Sequence, residues 1–209
     1  RVADRYYFTY VAVSKHGACT ALASTKDFKT FDRHGIVFAA ENKDVVLFPS
    51  KIGGQYAAFH RPSPAMLFAP PEMWIAYSPD LLYWGRHEPF HGGSSEWEMG
   101  RIGGGCPPIQ VEGGWLEIYH GNERTPGGVG AYSSGALLLD FANPQRVLRR
   151  STSPIMMPEA DFERTGFVNN VVFPTGIIDR GDILQVYYGA ADTNVGVVEW
   201  SKRELLESL

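Results

Sequence analysis

Two cysteines, Cys19 and Cys106, are all that the 209 residues contain, and their separation suggests neither a zinc-ligand spacing nor a disulfide framework. No apolar run approaches the ~20 residues a membrane span needs, which excludes a helical membrane protein. The opening Arg1-Val2-Ala3-Asp4 lacks a following long apolar region, so no signal peptide is expected. Basic residues are also scarce relative to acidic ones: 19 Lys and Arg against 23 Asp and Glu give a net charge of −4, with no basic cluster. That argues against a nucleic-acid surface and points to neutral or modestly anionic ligands. Long helical periodicity is missing too; only residues 202–209 read as a short helix.

What the chain has instead is 13% aromatic residues, 23 glycines and 14 prolines, set as short apolar runs between Gly, Pro, Asn and Asp turns. This composition predicts an all-β fold. Residues 5–13, R-Y-Y-F-T-Y-V-A-V, barely alternate and are expected to form a strand buried on both faces. Residues 18–24 form the next strand. A repeat follows: Asp27, Phe28, Phe31, Arg33 and His34 correspond to Asp80, Leu81, Trp84, Arg86 and His87 at one constant offset, 80 minus 27, or 53. A unit of roughly 50 residues suits a propeller blade. Asp27 and Asp80 read as turn caps, and His34 and His87 as parts of the blade framework. Further units carry the turns Gly53-Gly54, Gly113-Gly114 and Asp179 to Asp182. No linker composition divides the chain, so residues 1–209 read as one β-propeller domain.

The segment R-I-G-G-G-C-P-P-I at residues 101–109 predicts an irregular, close-approach loop, because Gly103 to Gly105 can take positive φ and Pro107 and Pro108 cannot donate to a sheet. Cys106 within it is either a nucleophile or, more commonly for its type, a small buried thiol. The following strand, Trp115 to Tyr119, ends at His120. Strands ending in His60, His120 and Asp192 recur at equivalent points of successive units, which in a propeller would line one central pocket. Trp74 and Trp115 could stack on a ligand there, although packing within the blades suits them better.

The strings N-K-D-V-V-L-F-P (residues 42–49), H-R-P (60–62), I-G-G-G-C-P-P-I (102–109), Y-H-G (119–121), V-V-F-P-T-G (171–176) and Y-Y-G-A-A-D (187–192) together resemble glycoside hydrolase family 130. The resemblance implies a five-bladed β-propeller, of which this chain supplies roughly three to four blades and lacks the N-terminal portion. It implies inverting phosphorolysis of β-mannosides, giving α-mannose 1-phosphate, by a general-acid aspartate expected upstream of Arg1; none is named within the chain. Lys43, Arg61, Arg101, His120 and Tyr132 match the family's phosphate-binding positions, and some members carry lysine in place of Arg101. Asp192 matches a sugar-binding carboxylate, and Asn42 and Asp44, flanking Lys43, are further substrate-binding candidates. The implied partners are a β-linked mannoside and inorganic phosphate as co-substrate, with no metal, organic cofactor, nucleic acid or membrane, in the cytoplasm. Open sheet edges would be covered by a homo-oligomer. Two alternatives stay open: a β-mannoside hydrolase of the same superfamily, whose base could be any of several carboxylates, and an inactive carbohydrate-binding fragment.

Overall fold

A computed structural model describes residues 1–63 and 68–209. Among the described residues the chain is all-β: fifteen strands form four antiparallel sheets that follow one another in sequence. The first contains β1 (Tyr6–Ser14), β2 (Gly17–Thr25) and β3 (Asp32–Phe38). β4 (Asn42–Leu47), β5 (Tyr56–Pro62), β6 (Met73–Ser78) and β7 (Gly85–His91) make the second. In the third, β10 (Gly114–Asn122) pairs with β8 (Arg101–Gly104), β9 (Ile109–Val111) and β11 (Tyr132–Leu139), and β12 (Val147–Arg150) closes the edge. The fourth holds β13 (Val172–Asp179), β14 (Ile183–Ala190) and β15 (Asn194–Ser201). The tail forms the helix α2 (Lys202–Glu207) where a helix was expected; the short helix α1 (Asp161–Arg164) and a 3-10 turn at Glu96–Glu98 were not foreseen.

The 53-residue repeat is visible atom by atom in two hairpin turns. Asp27 Oδ1 accepts from the Lys29 and Thr30 amides at 2.8 Å, and Asp80 Oδ1 accepts from those of Leu82 and Tyr83 at 2.9 Å. Before each aspartate a hydroxyl, on Thr25 or Ser78, accepts from the amide of Phe28 or Leu81, and these two residues adopt φ of 57° and 72°. Both are Asx-type turns that join the last two strands of their sheets.

The sheets pack face against face in chain order. Phe38 from the first meets Ala58 and Ala76 of the second. Phe59 and Ile75 on the other side of the second meet Trp115, Tyr119 and Leu137 of the third. Leu116 and Ile118 on the far side of the third meet Leu184 and Val186 of the fourth, with Leu205 of α2 closing the base. The middle sheets are therefore covered on both faces and the outer two on one. This overturns the expectation for residues 5–13: β1 alternates between half-buried and exposed positions, with Val13 78% exposed. Its hydrophobicity gave no alternation because aromatic side chains occupy both faces, while only one face meets a neighbouring sheet.

The first strands β1, β4, β8 and β13 converge. Tyr7 to Val11, Asp44 to Leu47, Gly104 and Gly105, and Phe173 with Thr175 line one cavity of about 360 Å³.

Candidate functional site

Next to that cavity, which Asp44 lines, polar side chains gather because of strand register. Lys43 and Arg61 are directly opposed Cα partners on β4 and β5, so their side chains leave the sheet on the same face. A bulge between Lys43 and Val46 re-aims the next residue, and Asp44 sits there with φ of 56°. On the third sheet, Arg101 opposes Asn122 and Gly103 opposes His120, which puts Arg101 and His120 on one face. Tyr132 opposes Asn122 from β11 and joins the same face.

Gly103 lets the two sheets meet. A Cβ there would lie 2.6 Å from His120 Cε1 and 2.7 Å from Asp44 Oδ2, and one on Gly104 would lie 2.7 Å from Val46 Cγ2. The expected irregular loop is in part a strand: Gly103 and Gly104 lie in β8, and none of the three glycines uses the positive φ open to it, while the expected close approach is found. Close approach of neighbouring groups, rather than an unusual backbone angle, is what excludes a side chain at these positions.

At the centre, Arg61 Nη1 lies 2.7 Å from Asp44 Oδ2, with both side chains at most 10% exposed. His120, fully buried, has Nε2 3.3 Å from Arg61 Nη1 and 3.4 Å from Asp44 Oδ2. Its Nδ1 lies 3.1 Å from the Gly104 carbonyl, which can only accept, so Nδ1 carries the proton. The remaining nitrogen then accepts from Arg61, and the imidazole is neutral. Burial pushes the His120 pKa below 6.5 despite the carboxylate beside it, in keeping with that tautomer. Burial alone would raise the Asp44 carboxyl; the positive charges of Arg61 and Lys43 act against it, and the group lies below its ordinary 3.8. Arg101 is close enough for its charge to oppose that of Arg61, and Phe173 covers the His120 ring at 4.1 Å between centroids.

Lys43, Arg61 and Arg101 carry three positive charges. Among the described residues, Asp44 is the one carboxylate within ion-pair distance of them, which leaves a surplus of two. The buried Nε atoms of Arg61 and Arg101 have no hydrogen-bond partner. Buried, unpaired guanidinium donors with this excess of charge suit a dianion.

Not every candidate from the sequence lies in this cluster. Asn42 turns to the opposite face of its sheet, where its amide meets His60 Nδ1 at 3.0 Å. His60 and His120, expected at equivalent points, face opposite ways: Arg61, one residue later, is the side chain directed at the cluster. Asp192 lies in an exposed turn with φ of 51°, and among the described residues no hydrogen bond or ion pair joins it to the cations. Trp115 is core, 1% exposed. The buried thiol of Cys106 is pushed up by burial, then by Glu117, which fits the inert reading. Sequence reasoning missed Phe173, although V-V-F-P-T-G contains it, and missed the role of Asp44 as the counter-charge to Arg61. The bulge that places Asp44 has no signature in N-K-D-V-V.

Four antiparallel sheets whose first strands converge on one cavity, with a cluster of cationic side chains around Asp44 beside it, define the class: an all-β protein of sequential sheets. The chain belongs to the beta-1,4-mannooligosaccharide phosphorylase family, glycoside hydrolase family 130, whose model matches residues 1–209. It is 44% identical over 210 residues to a beta-1,2-mannobiose phosphorylase of Listeria innocua, covering 100% of this chain and 58% of that protein. It is 36% identical over 198 residues to a beta-1,4-mannooligosaccharide phosphorylase of Ruminococcus albus, covering 94% of this chain and 59% of that one. The solved structure of the Listeria innocua beta-1,2-mannobiose phosphorylase with beta-1,2-mannobiose superposes with a TM-score of 0.93, again over 100% of this chain and 58% of the other. The chain thus spans less than two thirds of the length of these relatives. No helix among the described residues is long and apolar enough to cross a membrane, and no group of three or more His, Cys, Asp or Glu gathers as a metal site.

Proposed function

We propose that this chain forms the phosphate-holding wall of an inverting β-mannoside phosphorylase built as a five-bladed β-propeller. The surplus of two positive charges at Lys43, Arg61 and Arg101 carries the reading, because hydrogen phosphate at neutral pH is a dianion. Arg61 offers a planar fork for two phosphate oxygens, Lys43 a point charge, and Tyr132 a hydroxyl near the His120 ring. In the reaction, a phosphate oxygen forms a bond to the anomeric carbon as the glycosidic C–O bond breaks on the opposite side, and the departing oxygen takes a proton. The product is α-mannose 1-phosphate. The proton donor is assigned to no residue of this chain, and Asp192 and Asn42 are left as candidates for contact with sugar hydroxyls.

Phosphorolysis is favoured over hydrolysis by the situation of Asp44. A hydrolase needs a second carboxylate free to activate water, whereas Asp44, the carboxylate within the cluster, is ion-paired with Arg61. The test is a phosphate titration of the 209-residue chain followed by 31P NMR. Saturable binding that Arg61→Ala reduces at least ~10-fold is expected, the loss of about one charged hydrogen-bonded contact; binding equal in both proteins would refute the reading.

A further inference from the structure

A second cavity, of about 510 Å³, opens on the opposite face of the second sheet, between the end of β3 and the ends of β5 to β7. Its walls include Phe38 and Trp74, and its polar groups are Asn42, His60, Glu72 and His87. It lies one sheet away from the cations: Asn42 precedes Lys43 and His60 precedes Arg61, and successive strand residues face opposite ways.

The polar groups are joined in a chain. Asn42 lies 3.0 Å through Nδ2 and 3.2 Å through Oδ1 from His60 Nδ1, and His60 Nε2 lies 3.2 Å from His87 Nδ1. His60 is 2% exposed, and burial followed by the charge of His87 lowers its pKa to about 3, so it stays neutral. A neutral imidazole in this chain can be bonded in either sense. If Asn42 Nδ2 donates, His60 donates onward and His87 Nε2 is a donor; if Asn42 Oδ1 accepts, His87 Nε2 is an acceptor. The two senses are nearly matched in distance, and among the described residues His87 Nε2 has no hydrogen bond of its own. The terminal nitrogen can therefore meet a hydroxyl group, which both donates and accepts.

Among the described residues no lysine or arginine lines this cavity, and Glu72 adds a negative charge, so phosphate and other anions are disfavoured. Aromatic walls beside a few hydroxyl-matching groups suit the apolar face and polar rim of a sugar ring. We propose that this cavity is a carbohydrate-binding site for an uncharged pyranose, separate from the cation cluster. Its geometry stands by itself; the choice of a mannoside as its ligand rests on the proposed function.

The experiment is an NMR titration of the full 209-residue chain with β-1,2-mannobiose, with glycerol as a small-polyol control, following the histidine ring and tryptophan indole signals. Saturable shifts at His60, His87 and Trp74 are expected without phosphate, and they persist in Arg61→Ala. Trp74→Ala should weaken binding at least ten-fold. His87→Ala, at an exposed position that touches the core only through a ring-edge contact with Phe38, should weaken it at least three-fold with the folded spectrum intact. The proposal is overturned if mannobiose leaves these signals unmoved, if glycerol saturates them at equal concentration, or if His87→Ala binds as tightly as the parent chain. Phosphate binding is read separately by 31P NMR, so failure of the phosphorylase reading shows itself there and leaves the outcome at this cavity distinct.

Discussion

The strands β1 and β10 have nine residues each, and their fates are opposite to what their compositions suggest. β1 reads Y-Y-F-T-Y-V-A-V-S and is exposed or half-buried throughout; β10 reads G-W-L-E-I-Y-H-G-N, with a glutamate and a histidine, and is buried at every position. The difference comes from the neighbours. β10 is central in a sheet covered on both faces, whereas β1 is the edge of a sheet that packs against the chain on one face only. Burial is thus a property of position in the stack, and the middle sheets can hold ionisable groups that the outer ones leave in water.

Truncation should separate the two regions most sharply. Trp115→Ala removes a 1% exposed ring packed 5.2 Å from Phe48 and 5.3 Å from Phe141, and should cost about 3–5 kcal/mol in urea unfolding. Tyr10→Ala, on β1, should cost under ~1 kcal/mol because water already reaches the ring. Equal losses would mean that β1 is covered in solution.

Ion pairs should follow the same division. Arg61→Ala strands the Asp44 carboxylate in the interior at a cost of about 3–5 kcal/mol. Arg5→Ala breaks the pair with Asp32, whose side chain is 67% exposed, and should cost ~0–1 kcal/mol, less at high salt. Thermal unfolding of both variants at two salt concentrations checks this.

Glycines give a smaller contrast. Gly103→Ala would drive a methyl group into His120 and Asp44 and should cost about 1–3 kcal/mol while weakening phosphate binding. Gly176→Ala, on β13 with nothing within 4 Å of the new methyl, should be close to neutral in the same two measurements.

A last contrast concerns pH, and its sign reverses between regions. Glu117 is fully buried, with Oε2 unpartnered, and burial raises its pKa well above 4.5 despite the Gly105 amide 3.4 Å from Oε1. A carboxyl raised on folding stabilises the protein below pH 4.5 and loses that contribution as pH climbs towards the folded value. Glu117→Gln should therefore gain on the parent chain by at most ~1.4 kcal/mol per pH unit above 4.5, seen as diverging melting temperatures. Exposed Asp27 behaves oppositely. Two backbone amides lower it to about 2, so its contribution is present above 3.8 and is lost as pH falls through 2.

Where a feature depends on a few consecutive residues, it was legible. The turn around Asp80 follows from a short carboxylate bonding amides two and three residues on, and the repeat could be read because both turns use it. The C-terminal helix follows from Ser201 capping Glu204 N. Features made by contact between sheets were not legible. Glu98, 1% exposed, accepts from Tyr119 at 2.8 Å and pairs with Arg150 at 2.5 Å, tying the 3-10 turn to the last strand of its sheet, yet nothing in S-S-E-W-E-M announces this. The same holds for the glycines at 103–105, whose need for an absent side chain is set by His120, Asp44, Val46 and Ile118.

The sequence by itself determined the all-β class, the repeating hairpin and the identity of the cationic residues, because turn chemistry, residue type and motif order are written along the chain. Tertiary structure alone decided which face each of them serves. Strand register sends Arg61 towards the cations and His60 away from them, a bulge brings Asp44 back as their counter-charge, and stacking of sheets makes the interior in which these charges are strong.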